Sequence, residues 1–198
     1  MRLRARLGIG ALFAALWAAG CGFSNPPAEP RYFSPGPPQL SESDPTHVGE
    51  RAPLRLRRVR AAAYLRDRMV WRRGVEIGFY DLLRWTESPA RFAQTRIEDE
   101  LFQRRGFVRT SQAGVPSLVV SVDAFDELLA PAHEASVVLS AELVDGQSAT
   151  LLDHSYEVRK PIAGDDPRQV ADALGAALDD AVRQLGEGVA QALGAKPL

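Results

Sequence analysis

The sequence predicts an α/β (α+β) domain, a mixed, largely antiparallel sheet of about six strands packed with two main helices, preceded by a signal peptide and a Pro-rich tether. Three observations carry that prediction. Runs of alternating apolar and polar residues recur between Leu54 and Arg159 and give the strands. Two segments of helical spacing, Pro89 to about Arg105 and Pro167 to about Leu193, each open on a capping residue followed by proline. Ahead of Leu54 the chain is first basic, then apolar, then rich in proline, a composition that builds no packed core.

Met1 to Gly20 carries Arg2, Arg4 and Arg6 and then an apolar run from Leu7 to Ala19. This is the pattern of a signal peptide, and the run is shorter than the roughly 20 apolar residues a membrane span needs. Cys21, the single cysteine of the chain, follows at once. Ala18-Ala19-Gly20-Cys21 resembles a bacterial lipobox, in which the cysteine is diacylated and becomes the mature N-terminus. The competing reading is a secreted protein with a stray thiol, which would have no disulfide partner. Two or three acyl chains on Cys21 would anchor the protein durably without a span. Gly22 rather than Asp after the cysteine favours the outer membrane in the usual sorting pattern. Residues 21–53 then read as an extended linker, punctuated by Pro26, Pro27, Pro30, Pro35, Pro37, Pro38, Pro45 and Pro53. Its apolar pair, Tyr32-Phe33, either docks on the domain or stands exposed.

Residues 54–198 form the domain. Leu54 to Arg57 alternates and slips at Arg58 before Val59, which predicts a strand with a bulge or a short edge strand. Ala61-Ala62-Ala63 leads into a loop over Tyr64 to Arg68. Met69 to Arg72 is a second strand, turned at Gly74 into a third, Val75 to Tyr80, so the two form a hairpin. Val75, Ile77 and Phe79 alternate there as one buried face would. Trp85 follows, then Ser88 as N-cap and Pro89 at the first helical position. Phe92, Ala93, Ile97, Leu101 and Phe102 share a helix face, with Arg91, Glu98, Asp99 and Arg105 away from it. Gly106 closes the helix from the position that needs a positive φ. Phe107-Val108 begins a short strand. Leu118 to Phe125 and Ser136 to Leu143 alternate as strands, and a turn at Asp145-Gly146 leads to Thr150 to Arg159, where Leu152, His154, Tyr156 and Val158 share a face. Asp166, Pro167 and Gln169 open the last helix, whose core contacts are Val170, Leu174, Leu178, Ala181, Leu185 and Val189.

Net charge is −1, which implies no bulk polyanion partner and no nucleic acid. The balance hides an asymmetry. Arg51 to Arg109 holds 15 Arg against 7 acids, a local +8, and Thr110 to Leu198 holds 5 basic residues against 14 acids, a local −9. Either the two sets attract one another within the fold, or they form opposed patches for self-assembly or docking.

No catalytic pattern emerges. His47, His133 and His154 lack metal-ligand spacing, and there is no Gly-x-Ser-x-Gly elbow, P-loop or dinucleotide fingerprint. Asp153, His154 and Ser155 are neighbours on one strand, point to opposite faces in turn, and cannot form a triad among themselves. His154 reads as a half-buried strand residue and Asp179-Asp180 as a solvated helix patch. Arg72 either pairs with a buried carboxylate and holds the hairpin or faces a partner. Trp85 is either a core plug or a lipid contact. No cofactor and no metal are implied.

Tyr64-Leu65-Arg66-Asp67, Met69-Val70-Trp71-Arg72 and Trp85, followed by the strand Ala135 to Val144 and the long alanine-rich final helix, carry a resemblance. In that order, from Leu54 to Leu193, they resemble the ABC-type transport auxiliary lipoprotein family and its PqiC-like members. Met69 and Trp71 depart from the polar residue and the Tyr usual there. The resemblance implies a non-enzymatic envelope lipoprotein held at the periplasmic face of the outer membrane through its lipid anchor. Its implied partners are an ABC permease and ATPase and a mammalian-cell-entry (MCE) domain protein that moves lipid between the two membranes, with a homo-oligomeric ring as one form. A second reading is a structural envelope lipoprotein assisting lipopolysaccharide assembly or cell-wall synthesis.

Overall fold

The computed structural model describes residues 28–36 and 52–194. The signal peptide, Cys21, His47 and much of the Pro-rich stretch lie outside them. In chain order the strands are β1 (Arg31–Phe33), β2 (Pro53–Leu56), β3 (Arg60–Ala61), β4 (Arg68–Arg73), β5 (Glu76–Trp85), β6 (Val108–Arg109), β7 (Ser117–Ala130), β8 (Glu134–Val144) and β9 (Thr150–Pro161). The helices are α1 (Pro89–Glu98), continued by a π-helical turn over Asp99–Arg104, and α2 (Pro167–Ala192). The described sheet therefore has nine strands rather than about six. The strands that the sequence did not announce, β1 and β3, are three and two residues long, too short for alternation to reveal them, and the short strand expected at Phe107-Val108 is β6.

β7 is the spine. Antiparallel β8 follows one of its edges from Ser117↔Val144 to Leu128↔Glu134, and β9 continues antiparallel beyond β8. Along the opposite edge β2, β3 and β4 succeed one another, each parallel to β7, at Arg55↔Ser117, Arg60↔Ser121 and Trp71↔Glu127. β5 pairs antiparallel with β4, and β1 lies parallel to the last residues of β5. The sheet is thus mixed, with long antiparallel ladders and short parallel ones.

This arrangement explains the slip at Arg58 and corrects the edge-strand expectation. Arg57 N donates to Leu118 O at 2.9 Å, Val59 N turns away to Gln94 Oε1 of α1 at 2.7 Å, and Ala62 N returns to Val122 O at 2.9 Å. The slip is the step from one short interior strand to the next, and β6 covers the outer side of β2.

The alternation of β7 holds as far as Asp123, where the register against β8 shifts by a bulge between Val122 and Ala124. Phe125 thereby joins Val120 and Val122 in the core. The bulged residue is well partnered: Ser121 and Ser140 hydroxyls donate to its carboxylate, and Tyr64 Oη donates to its carbonyl at 3.0 Å.

α1 and α2 lie against the sheet and against each other, α2 across β8 and β9, α1 against β7 and β3. All six core contacts expected of α2 are buried. Asp166 Oδ1 accepts from Arg168 N at 3.0 Å, as an N-cap does. Ser88 holds the N-cap position of α1, but its hydroxyl makes no capping bond; its carbonyl accepts from Arg91 N at 2.8 Å instead. Gly106 has φ +69° and ends the helical segment. The β8–β9 connection is longer than an Asp-Gly turn, since Asp145 N donates to Ala149 O and the left-handed residue is Ser148, at φ 69°. His154 is exposed rather than half-buried and meets Tyr156 edge-on at 4.7 Å.

Candidate functional site

The two strands of the β4–β5 hairpin contrast. On the inner strand, Arg72 Nε and Nη2 donate to Asp126 Oδ2 at 2.9 and 2.8 Å. Asp126 is fully buried on β7, and Tyr64 Oη stands 3.3 Å from both of its carboxylate oxygens. Arg72 Nη2 also donates to Tyr64 Oη at 3.2 Å. A buried carboxylate needs a cation and further donors to offset its lost hydration. Here the loop before β4, β4 itself and the post-bulge segment of β7 supply them together. Burial opposes the charge on Arg72, but the hydrogen bond and charge of Asp126 outweigh it and hold the guanidinium above its ordinary value. Burial, reinforced by the Asp126 charge, pushes the Tyr64 phenol up to about 12.

Trp85, at the end of β5, is 2% exposed. Its ring meets Phe125 at 5.3 Å and 70° and Phe92 at 6.0 Å and 80°, both edge-on geometries. Its backbone N donates to Asp67 O at 2.6 Å, and Phe33 of β1 pairs beside it. The indole Nε1 has no hydrogen-bond partner among the described residues. Of the apolar pair Tyr32-Phe33, Phe33 is docked and Tyr32 stands out.

A second carboxylate, Glu127, bridges Tyr80 Oη at 2.8 Å and His133 Nε2 at 2.7 Å. Burial and then the hydrogen bond to Glu127 push the Tyr80 phenol up. No hydroxyl or thiol nucleophile touches His133 among the described residues, so the group joins β5, β7 and the β7–β8 turn. No group of three His, Cys, Asp or Glu there is placed to hold a metal ion, and no described helix is long and apolar enough to cross a membrane.

Sequence reasoning missed Arg96 of α1, a charged residue that is buried. Its Nη1 donates to Gly175 O at 2.6 Å and meets Asp179 Oδ1 at 2.9 Å, and its Nη2 donates to Gly36 O at 2.6 Å. Burial lowers the Arg96 pKa, with Asp179 opposing. At Gly175 a Cβ would lie 3.2 Å from Gly36 N, so glycine lets the N-terminal segment approach α2. Asp179-Asp180 is therefore no solvated patch. Asp179 holds Arg96, and Asp180 takes Lys160 of β9 at 2.5 Å and Arg183 at 2.9 Å. The Lys160 hydrogen bond is the largest influence holding Asp180 below the usual carboxylate range. Part of the charge asymmetry is thus spent inside the fold, in Arg72–Asp126, Arg96–Asp179 and Arg105–Glu187.

The outer strand of the hairpin reverses the sequence expectation. Val75 is 100% exposed at the turn, and Ile77, Phe79 and Leu82 are 37%, 40% and 40% exposed. Ile77 and Phe79 pair with Arg72 and Val70 and so point to the same side of the sheet, yet they stand exposed at its edge, where the Arg68 guanidinium lies 5.8 Å from the Phe79 ring centroid. Beyond β5, β1 covers only Leu83–Trp85, which leaves Glu76–Leu82 as an open strand edge among the described residues. An open edge beside exposed apolar side chains is a surface that another chain can join.

The fold recurs among solved structures. A crystallised protein of Xanthomonas campestris matches at TM-score 0.66 and 18% identity over 84% of this chain and 95% of its own. An uncharacterized protein matches at 0.61 and 14% over 82% and 99%, and a hypothetical protein of Chlamydia trachomatis at 0.52 and 7% over 74% and 100%. No curated protein matches the sequence. The family profile of the ABC-type transport auxiliary lipoprotein component matches residues 35–186, a span that takes in the Tyr64–Arg72–Asp126 network, the Trp85 plug and most of α2. The chain belongs to that family of auxiliary lipoproteins of ABC-type transport systems.

Proposed function

We propose that this protein is a non-enzymatic accessory in lipid trafficking between inner and outer membranes, tethered by acylated Cys21 to the periplasmic face of the outer membrane. In this reading its domain meets an MCE-domain protein, itself served by an ABC permease and ATPase, and the open edge of β5 is the contact face. The observation that carries the reading is the exposed set Val75, Ile77, Phe79 and Leu82 along Glu76–Leu82, an edge unpaired among the described residues. A monomer that left this set in water would carry a standing liability for association, and a cognate partner relieves it. A partner strand laid along the edge would gain main-chain hydrogen bonds, with the apolar set supplying specificity. Family membership supports the auxiliary role. The lipobox and Gly22 support the anchor and its membrane.

Affinity capture of the full chain from envelope membranes tests this. Recovery of an MCE protein or permease with the native chain, and its loss with Ile77→Glu/Phe79→Glu, is the expected result. Recovery of neither component with the native chain sinks the transport reading. Undiminished recovery with the variant moves the contact elsewhere. Palmitate labelling of native and Cys21→Ala protein tests the anchor separately, and unchanged labelling would remove it.

A further inference from the structure

A groove of about 930 Å³ opens where β2, β3 and β6 end, lined by Arg55, Leu56, Arg57, Arg58, Arg60 and Arg109, with Thr110 and Ser111 at its side. We infer that this groove binds a phosphate ester group, with Arg57, Arg58 and Arg60 as the principal ligands. The groove has no acidic residue in its lining. Elsewhere the buried and half-buried arginines are matched, Arg72 to Asp126, Arg96 to Asp179 and Arg105 to Glu100, and Arg31, Arg68 and Arg73, which have no carboxylate among the described residues, each lie singly over an aromatic ring. Within the groove, Arg109 is matched to Glu98 at 3.0 Å and Arg55 donates to the Ser117 hydroxyl at 3.3 Å. Arg57, Arg58 and Arg60 are exposed and have no carboxylate within 4.0 Å among the described residues.

The backbone explains how three guanidiniums come together. β2 and β3 are successive short strands on one edge of β7, and the step between them leaves Arg57 and Arg58 outside any strand, with Arg60 opening the next. Val59, between them, is turned inward and tied to Gln94 at 2.7 Å, which fixes the step. The concentration of positive charge is therefore built into the sheet. Mutual repulsion of unmatched cations disfavours such a cluster in the absence of an anion.

The chemistry favours phosphate. The guanidinium fork accepts two oxygens of one phosphate in a bidentate pair, and a tetrahedral phosphate offers oxygens to several forks at once, which a planar carboxylate does less well. The Thr110 hydroxyl accepts from Gln112 N at 3.1 Å, so its own proton is directed to another acceptor. Leu56 gives the groove an apolar wall that suits the glycerol or acyl end of a phospholipid better than a bare ion. The inference rests on the groove and stands apart from the transport reading.

The test uses the full chain in non-ionic detergent, titrated calorimetrically with short-chain phosphatidylglycerol, inorganic phosphate and glutarate. Native protein should bind phosphatidylglycerol, weakening as salt rises. The triple variant Arg57→Gln/Arg58→Gln/Arg60→Gln should bind it at least about tenfold more weakly at an unchanged melting temperature, since it removes charge-assisted bonds at exposed positions. Phosphatidylglycerol binding tighter than inorganic phosphate assigns the source to a lipid headgroup. Equal binding keeps the phosphate site and assigns a free phosphate. No binding of either, glutarate binding as tight as phosphate, or unchanged affinity in the triple variant overturns the proposal.

Discussion

β4 and β5 are two strands of one hairpin with opposite fates. Met69 and Val70 of β4 are buried and Arg72 is locked to Asp126, whereas Ile77 and Phe79 of β5, in register with Arg72 and Val70, stand in solvent. Their compositions do not account for the difference, since β5 is the more regularly alternating of the two. Position in the sheet does. β4 lies between β5 and β7, and among the described residues β5 has only the three of β1 beyond it. The inner strand is the structural half of the hairpin and the outer strand its available half.

The largest effects should fall on the inner half. Asp126→Ala leaves Arg72 without its buried partner and should cost about 3–5 kcal/mol in urea unfolding. A cost below about 1 kcal/mol would mean the network is dispensable. Trp85→Ala should cost a similar ~3–5 kcal/mol by opening a cavity against Phe92 and Phe125. Trp85→Phe sharpens the point. The Nε1 donor has no partner to lose among the described residues, so the phenylalanine variant should recover more than half of the alanine deficit. If it is as damaging as alanine, the indole N–H has a role that the described contacts omit.

A smaller effect should appear in alkali. The Tyr64 phenol lies at about 12 in the fold against 10.0 when unperturbed. The folded protein therefore holds this proton more tightly, and its stabilisation is complete below pH 10 and lost as pH rises towards about 12. Tyr64→Phe should flatten that stretch of the stability–pH curve; an unchanged slope would assign alkaline loss to other groups, Tyr80 first among them. Ile77→Glu on the outer half should shift stability by no more than about 0.5 kcal/mol while it disrupts partner capture. A large loss of stability would show that the set packs within the monomer. The smallest expected effect is salt-sensitive self-association arising from unpaired arginines. Identical sedimentation at low and high salt would remove it.

Much of this was legible in order along the chain. The capped α2 with its six core positions, the hairpin pivoting at Gly74, and Gly106 as a helix stop all follow from local rules of spacing and backbone preference. Asp126 was not legible, because it follows a bulge at Asp123 that shifts the parity of β7 and cannot be seen as a break in hydrophobicity. Arg96 was hidden for a similar reason. On a helical wheel it is one more charge near an apolar face, and its partners, Gly36, Gly175 and Asp179, are distant in sequence. The arginine groove was visible only as a local surplus of charge.

By itself the sequence determined the longer elements, the cap of α2, the lipobox resemblance and the family, since each is written in neighbouring residues or in their order. Only the tertiary structure decided which alternating face is buried. Alternation states that a strand has two unlike sides, and burial depends on what lies beyond each. β5 lies at the edge of the described sheet, where the Arg68 guanidinium meets Phe79 and leaves it 40% exposed, and so Val75, Ile77 and Phe79, whose spacing fits a core, form a surface instead.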